Sequence, residues 1–164
     1  MNAANSISIL WLEDDPRSIF NYVKKLEEFG FRIVICNNVT EAIYEAEHFK
    51  FDIVLADLLM PPPDGTDFLN RVHPLQPNSI FIIFTGYPYN NIYRHRIKEL
   101  GFDVNLLQKS DGFSGLIVCI FQTLCKYWHK IDTEKKGIWK RIVTAIDIKP
   151  GFGGITIDIK KLIE

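Results

Sequence analysis

One repeated unit constrains this chain most: a short, wholly apolar run, then a segment with helical spacing. Residues 7–12 (ISILWL) are apolar throughout, and Glu13, Asp14, Asp15 and Pro16 end the run abruptly. A run without a polar face is buried on both sides, either as a strand between two layers or as a piece of buried helix. Asp15 ahead of Pro16 reads as a helix start, with Asp15 as the cap and proline at the first helical position. Ile19, Val23, Leu26 and Phe29 then recur at helical spacing until Gly30 stops the pattern.

The unit recurs along the chain. Residues 32–36 (RIVIC) read as a second strand, and Thr40 as the cap of a helix carrying Ala42, Ile43 and Ala46. Residues 53–56 (IVLA) make a third strand ending at Asp57, followed by MPPPDG and a short helix with Phe68, Leu69 and Val72. Residues 80–84 (IFIIF) are the fourth strand, ending at Thr85 and Gly86; Ile92, Ile97 and Leu100 mark a helix before Gly101. Residues 104–107 (VNLL) form a shorter fifth strand, then Lys109; Leu116, Ile120, Leu124 and Trp128 mark a long fifth helix. Apolar strands alternating with amphipathic helices predict an α/β fold. Right-handed crossovers reduce the options to a doubly wound, five-stranded parallel sheet.

Composition removes several function classes. The 164 residues carry 19 Lys and Arg against 20 Asp and Glu, a net charge of −1, so nothing general draws the chain to nucleic acid or to an anionic membrane. Lys135, Lys136, Lys140 and Arg141 are offset by nearby acids and read as a solvated stretch. Cys36, Cys119 and Cys125 have no C-x-x-C spacing, and His48, His73, His95 and His129 are scattered. Disulfide frameworks and zinc sites are therefore not expected, and the histidines read as surface or partly packed residues. The start, MNAANSISILWLEDD, lacks a basic segment of the kind that opens a signal peptide. No apolar run approaches the ~20 residues of a membrane span. A cytoplasmic protein is the expectation.

The pattern divides the chain into residues 1–130, one doubly wound domain, and residues 131–164, a linker plus extension. In the extension, AIDIK and ITIDIK flank PGFGG, and Ile155, Ile157 and Ile159 alternate with polar residues, as in a β-hairpin with one apolar face. So short a segment builds no core alone, so it docks on its own domain, on a partner or on a second copy.

Parallel sheets bind ligands at the carboxyl ends of their strands. Those ends supply Glu13 and Asp14, then Asp57, Thr85 and Lys109. Three close carboxylates repel one another, and a hard divalent cation such as Mg²⁺ relieves that repulsion. Asp57 could then act as a nucleophile toward a phosphoryl group, with Lys109 and Thr85 on the phosphoryl oxygens and Gly86 leaving room for them.

ILWLEDDP, DIVLADLLMPPPDG, IIFTG and LLQKS, in that order and at successive strand ends, resemble the receiver domain of two-component response regulators, over about Ser6 to Trp128. The resemblance implies a CheY-like, flavodoxin-like sheet of strand order 2-1-3-4-5. It makes Asp57 the phosphoacceptor and places Mg²⁺ on Glu13, Asp14, Asp57 and the backbone carbonyl of Leu59. Thr85 matches the switch hydroxyl and Lys109 the phosphate-pairing lysine. The implied donor is a histidine kinase or phosphotransfer protein, and the chain is a signalling phosphoacceptor rather than an enzyme. Its output would be a downstream protein or self-association through the extension. Two positions depart from the pattern: Leu106 stands where the family usually has an aromatic switch residue, and Ser110 where it usually has proline. They keep open an alternative, a phosphorylation-independent interaction or dimerisation module. An unrelated aspartate-based phosphohydrolase is disfavoured, because Leu59 stands where a second aspartate would be needed. Tyr87 and Leu59, each two residues past a site residue, are expected to slow loss of the phosphoryl group.

Overall fold

A computed structural model describes residues 6–86 and 91–127, the backbone alone at 91–94, and the paired backbone of 146–147 and 156–157. Five parallel strands form one sheet: β1 (Ser8–Leu12), β2 (Arg32–Cys36), β3 (Ile53–Ala56), β4 (Ile80–Thr85) and β5 (Val104–Gln108), in the order β2-β1-β3-β4-β5. The helices are α1 (Pro16–Glu28), α2 (Val39–His48), α3 (Gly65–Val72), α4 (Asn91–Glu99) and α5 (Gly112–Lys126). A short 3₁₀ turn, Lys109–Asp111, leads into α5. The doubly wound sheet expected from the alternation is the fold observed, with each strand within one residue of its expected bounds. Two short segments, β6 (Ile146–Asp147) and β7 (Thr156–Ile157), pair antiparallel with Ile146 opposite Ile157. The rest of the extension, including Trp139, lies outside the described residues, as do Trp128, His129 and Tyr87.

The strand period of two divides the core. Ile9, Trp11, Ile53, Leu55, Ile80, Ile82 and Phe84 face a layer with Ile19, Val23 and Leu26 of α1 and Leu116, Ile120 and Leu124 of α5. Leu10, Leu12, Val54, Ala56, Phe81 and Ile83 face the other layer, with Ala42 and Ile43 of α2 and Phe68, Leu69 and Val72 of α3. Both faces of β1, β3 and β4 are therefore buried, which is why their sequences show no alternation. A fully buried aliphatic or aromatic side chain stabilises by about 1.5–3 kcal/mol, so these strands are fixed against slippage. Trp11 is fully buried, edge-on to Phe84, and its indole N–H has no hydrogen-bond partner among the described residues.

Two caps differ from expectation. Asn38, not Thr40, caps α2, its side chain accepting from the Glu41 amide at 2.9 Å. The helix begins at Val39, which is buried, so packing of that residue moves the boundary upstream. Asp15 occupies the cap position of α1 without a side-chain cap; its carboxylate accepts from Arg17 Nε at 3.1 Å. Gly30 ends α1 in the left-handed region at φ 86°, as its position implied.

Candidate functional site

The strand order reverses direction between β1 and β3, and the crevice at their carboxyl ends is where the strand-end residues meet. Backbone ladders hold the acids there. The Glu13 amide donates to the Cys36 carbonyl at 3.0 Å, and the Asp57 amide to the Leu12 carbonyl at 3.0 Å. Each bond carries the parallel pairing one residue past its strand, so the two carboxylates leave the sheet in fixed directions.

Glu13 is 1% exposed and Asp57 5%, while Asp14 is exposed. One carboxylate oxygen from each of the three lies within 4.8 Å of the others. Lys109 Nζ sits 2.7 Å from both Glu13 Oε2 and Asp57 Oδ2. Asp57 Oδ1 accepts from the Leu59 amide at 3.0 Å, and Glu13 Oε1 from Ser18 Oγ at 3.3 Å. Burial pushes the Glu13 carboxyl above its usual range, and the neighbouring Asp57 charge adds to this; Lys109 only partly offsets both. Burial works against the Lys109 charge, but its hydrogen bonds to Asp57 and Glu13 outweigh that and hold its pKa above the ordinary value. The two carboxylates thus hold the Lys109 charge more firmly than water alone would.

Thr85 is buried at the end of β4 and pairs in register with Gln108, the residue before Lys109. Among the described residues, a Cβ added at Gly86 would meet only Lys109 Cδ, at 3.8 Å, an ordinary contact. Leu59 reaches the site through its amide, and the residue is 43% exposed. Leu106 pairs with Ile83 and packs half-buried in the α2/α3 layer.

Sequence reading passed over three contributors. Ser18, on the first turn of α1, steadies Glu13; its signal is its place five residues past the acid. Gly65 is approached so closely by the Asp57 carbonyl that a Cβ there would lie 1.9 Å from the oxygen. The third is Asp64, which caps α3 in a capping box with Asp67 and also accepts both arms of Arg96. The D-G-T-D spacing around Gly65 signals the capping box, whereas Arg96 is 32 residues away and has no local signal.

The donor set, three carboxylates beside a lysine, consists of hard oxygens and suits a small divalent cation. The arrangement otherwise offers two buried, oriented carboxylates, Glu13 and Asp57, on either side of the Lys109 ammonium at a sheet's switch point.

The sequence profile of the response regulator receiver domain matches residues 9–113. The transcriptional regulatory protein ZraR of Escherichia coli K12 is 25% identical over 134 residues, 82% of this chain and 30% of that protein. The chain therefore spans less than a third of that relative's length. A CheY-like response regulator receiver domain protein from Methanospirillum hungatei superimposes with a TM-score of 0.69 at 24% identity, over 77% of this chain and 99% of that one. A response regulator from Burkholderia pseudomallei, solved with a phosphorylated aspartic acid, a calcium ion and citrate, superimposes with a TM-score of 0.61 at 19% identity, covering 81% of this chain and 71% of that one.

Proposed function

Because this chain belongs to the response regulator receiver domain family, we propose that it is the phosphoacceptor of a two-component or phosphorelay system and that Asp57 takes the phosphoryl group. The observation that carries the reading is the buried Asp57 carboxylate held between the Leu59 amide and Lys109, 2.7 Å from its ammonium. One Asp57 oxygen attacks phosphorus, and the new O–P bond forms as the bond to the donor's leaving group breaks. Lys109 then exchanges its contact with Asp57 for a phosphoryl oxygen while keeping Glu13, and Thr85 donates to another oxygen. Glu13, Asp14, Asp57 and the Leu59 carbonyl are the groups that would hold Mg²⁺. The ion supplies positive charge against the phosphoryl oxygens. Holding it would also offset the mutual repulsion of Glu13, Asp14 and Asp57.

The donor is a histidine kinase or phosphotransfer protein, whose phosphohistidine gives up its phosphoryl group with the histidine imidazole as the leaving group. The chain acts as a signalling phosphoacceptor rather than as an enzyme on a separate substrate. We assign residues 1–130 to the receiver and 131–164 to an extension that engages a downstream protein or a second copy. Supporting this, a pair as short as β6–β7 needs another surface to persist.

The test is intact-mass spectrometry after incubation with acetyl phosphate and Mg²⁺, beside Asp57→Ala. The expected result is a single phosphoryl adduct, absent from the variant and from samples treated with a chelator. No adduct, together with no binding of beryllofluoride and Mg²⁺, would transfer the function to a phosphorylation-independent interaction module.

A further inference from the structure

Little apolar surface among the described residues holds α4 to the body. Ile97 packs partly buried against the α2/α3 layer, and Leu100, just past the helix end, is buried there. His95, Lys98 and Glu99 are exposed. The strongest described tie is polar. Arg96 Nη1 donates to Asp64 Oδ2 at 2.5 Å and Nη2 to Asp64 Oδ1 at 3.1 Å, with Asp67 Oδ1 3.7 Å from Nη2. A guanidinium fork on a carboxylate is the strong, directional form of ion pair. Asp64 has 15% side-chain exposure, so water competes poorly for it.

Asp64 connects directly to the phosphoacceptor. Its carboxylate fixes the first turn of α3, accepting from the Thr66 amide at 2.9 Å and the Asp67 amide at 3.2 Å. The next residue, Gly65, lies so close under the Asp57 carbonyl that no side chain fits between them. From Asp57 to α4 there are therefore three links: a backbone contact without slack, one peptide bond and one bidentate ion pair. A displacement of the Asp57 backbone passes to Gly65, because close-packed atoms transmit strain. Gly65 carries Asp64 with it, and Asp64 carries the guanidinium.

We propose that the Arg96–Asp64 pair is a latch that couples the backbone at Asp57 to α4, so that loading of Asp57 changes how firmly α4 is held. The proposal rests on the phosphoacceptor reading for its trigger, but the coupling itself exists without a phosphoryl group. It gives this chain a route from Asp57 to α4 that uses neither Leu106 nor Ser110.

Amide hydrogen exchange on the full chain tests it, with Arg96→Gln, Asp64→Asn and the double variant. Asparagine remains a good helix cap, so Asp64→Asn removes the carboxylate and leaves α3 able to form. Without any added phosphodonor, each single variant is expected to speed exchange in 91–99 by roughly tenfold, the scale of a lost charge-assisted pair. The Leu59 and Thr66 amides should also exchange faster, and the double variant should be no worse than either single one. Faster exchange in α4 alone, with Leu59 and Thr66 unchanged, would overturn the latch. With acetyl phosphate and Mg²⁺ added, the intact chain should change its α4 exchange on loading and Arg96→Gln should not. An equal α4 response in the loaded variant would also overturn it. Adduct mass is read in the same samples. Absence of an adduct from the intact chain refutes the trigger, while the exchange data taken without phosphodonor still decide the latch.

Discussion

Replacing Gly65 by alanine inserts one methyl group where the Asp57 carbonyl already sits. The new Cβ would lie 1.9 Å from that oxygen, 2.8 Å from the carbonyl carbon and 3.1 Å from Leu58 Cα. Real contacts of this kind stay beyond 3.0 Å, so the α3 turn and the end of β3 must part by about 1 Å. All three obstructing atoms are backbone, so no side chain can rotate aside. Overpacking of this kind costs about 1–3 kcal/mol. Alanine regains about 0.4–1 kcal/mol through a less flexible unfolded chain, leaving a net loss of at most about 2.6 kcal/mol. Function should suffer more than stability, because the displaced backbone is that of the nucleophile. A misplacement of about 1 Å can lower a rate by roughly 100-fold. The assay is the rate of adduct formation from acetyl phosphate with Mg²⁺, followed by intact mass, alongside a urea unfolding curve. Gly86→Ala is the control for stability: among the described residues its Cβ meets only a lysine methylene at 3.8 Å, so its urea midpoint should stay close to that of the intact chain. Equal uptake rates for Gly65→Ala and the intact chain would refute the claim that this contact sets the position of Asp57.

Other perturbations have calculable signs. Lys109→Met removes the charge lying 2.7 Å from two buried carboxylates, and breaking such a pair costs about 3–5 kcal/mol, so the urea midpoint should fall steeply at neutral pH. The loss should shrink toward acid pH, where Glu13, its carboxyl already pushed upward by burial and by Asp57, takes a proton. Asp14→Asn removes one of three acids clustered within 4.8 Å and should raise the melting temperature in chelator, while abolishing the increase that Mg²⁺ gives the intact chain. A chain whose Mg²⁺ response survives this change would not use Asp14 as a ligand. For Asp64, burial opposes the charge, but bonds from Arg96, Thr66 and the α3 amides outweigh it and hold the carboxyl below 3.8. Its stabilising share is therefore complete above the unfolded value of 3.8 and is lost as pH falls through the lower folded value. Stability curves of the intact chain and Asp64→Asn should converge at that acid end, and parallel curves throughout would refute the assignment.

Much of the molecule is decided locally. An apolar run such as ISILWL has no face to offer water, so burial on both sides follows from the residues alone, and parallel pairing follows from the helical segments between such runs. Glu13, Asp14, Asp57, Thr85 and Lys109 were visible as strand-end residues because a parallel sheet places all those ends on one rim. Caps were less visible. Asn38 and Thr40 are both good cap residues, and burial of Val39 in the layer beneath chose between them. What tertiary structure alone decided are contacts between segments distant in the chain. Arg96 on Asp64 spans 32 residues, Lys109 on Glu13 spans 96, and the Asp57 carbonyl on Gly65 depends on how tightly β3 and α3 are drawn together. Sequence periodicity determines which face of an element is buried; the distance between two elements is set by everything packed around them.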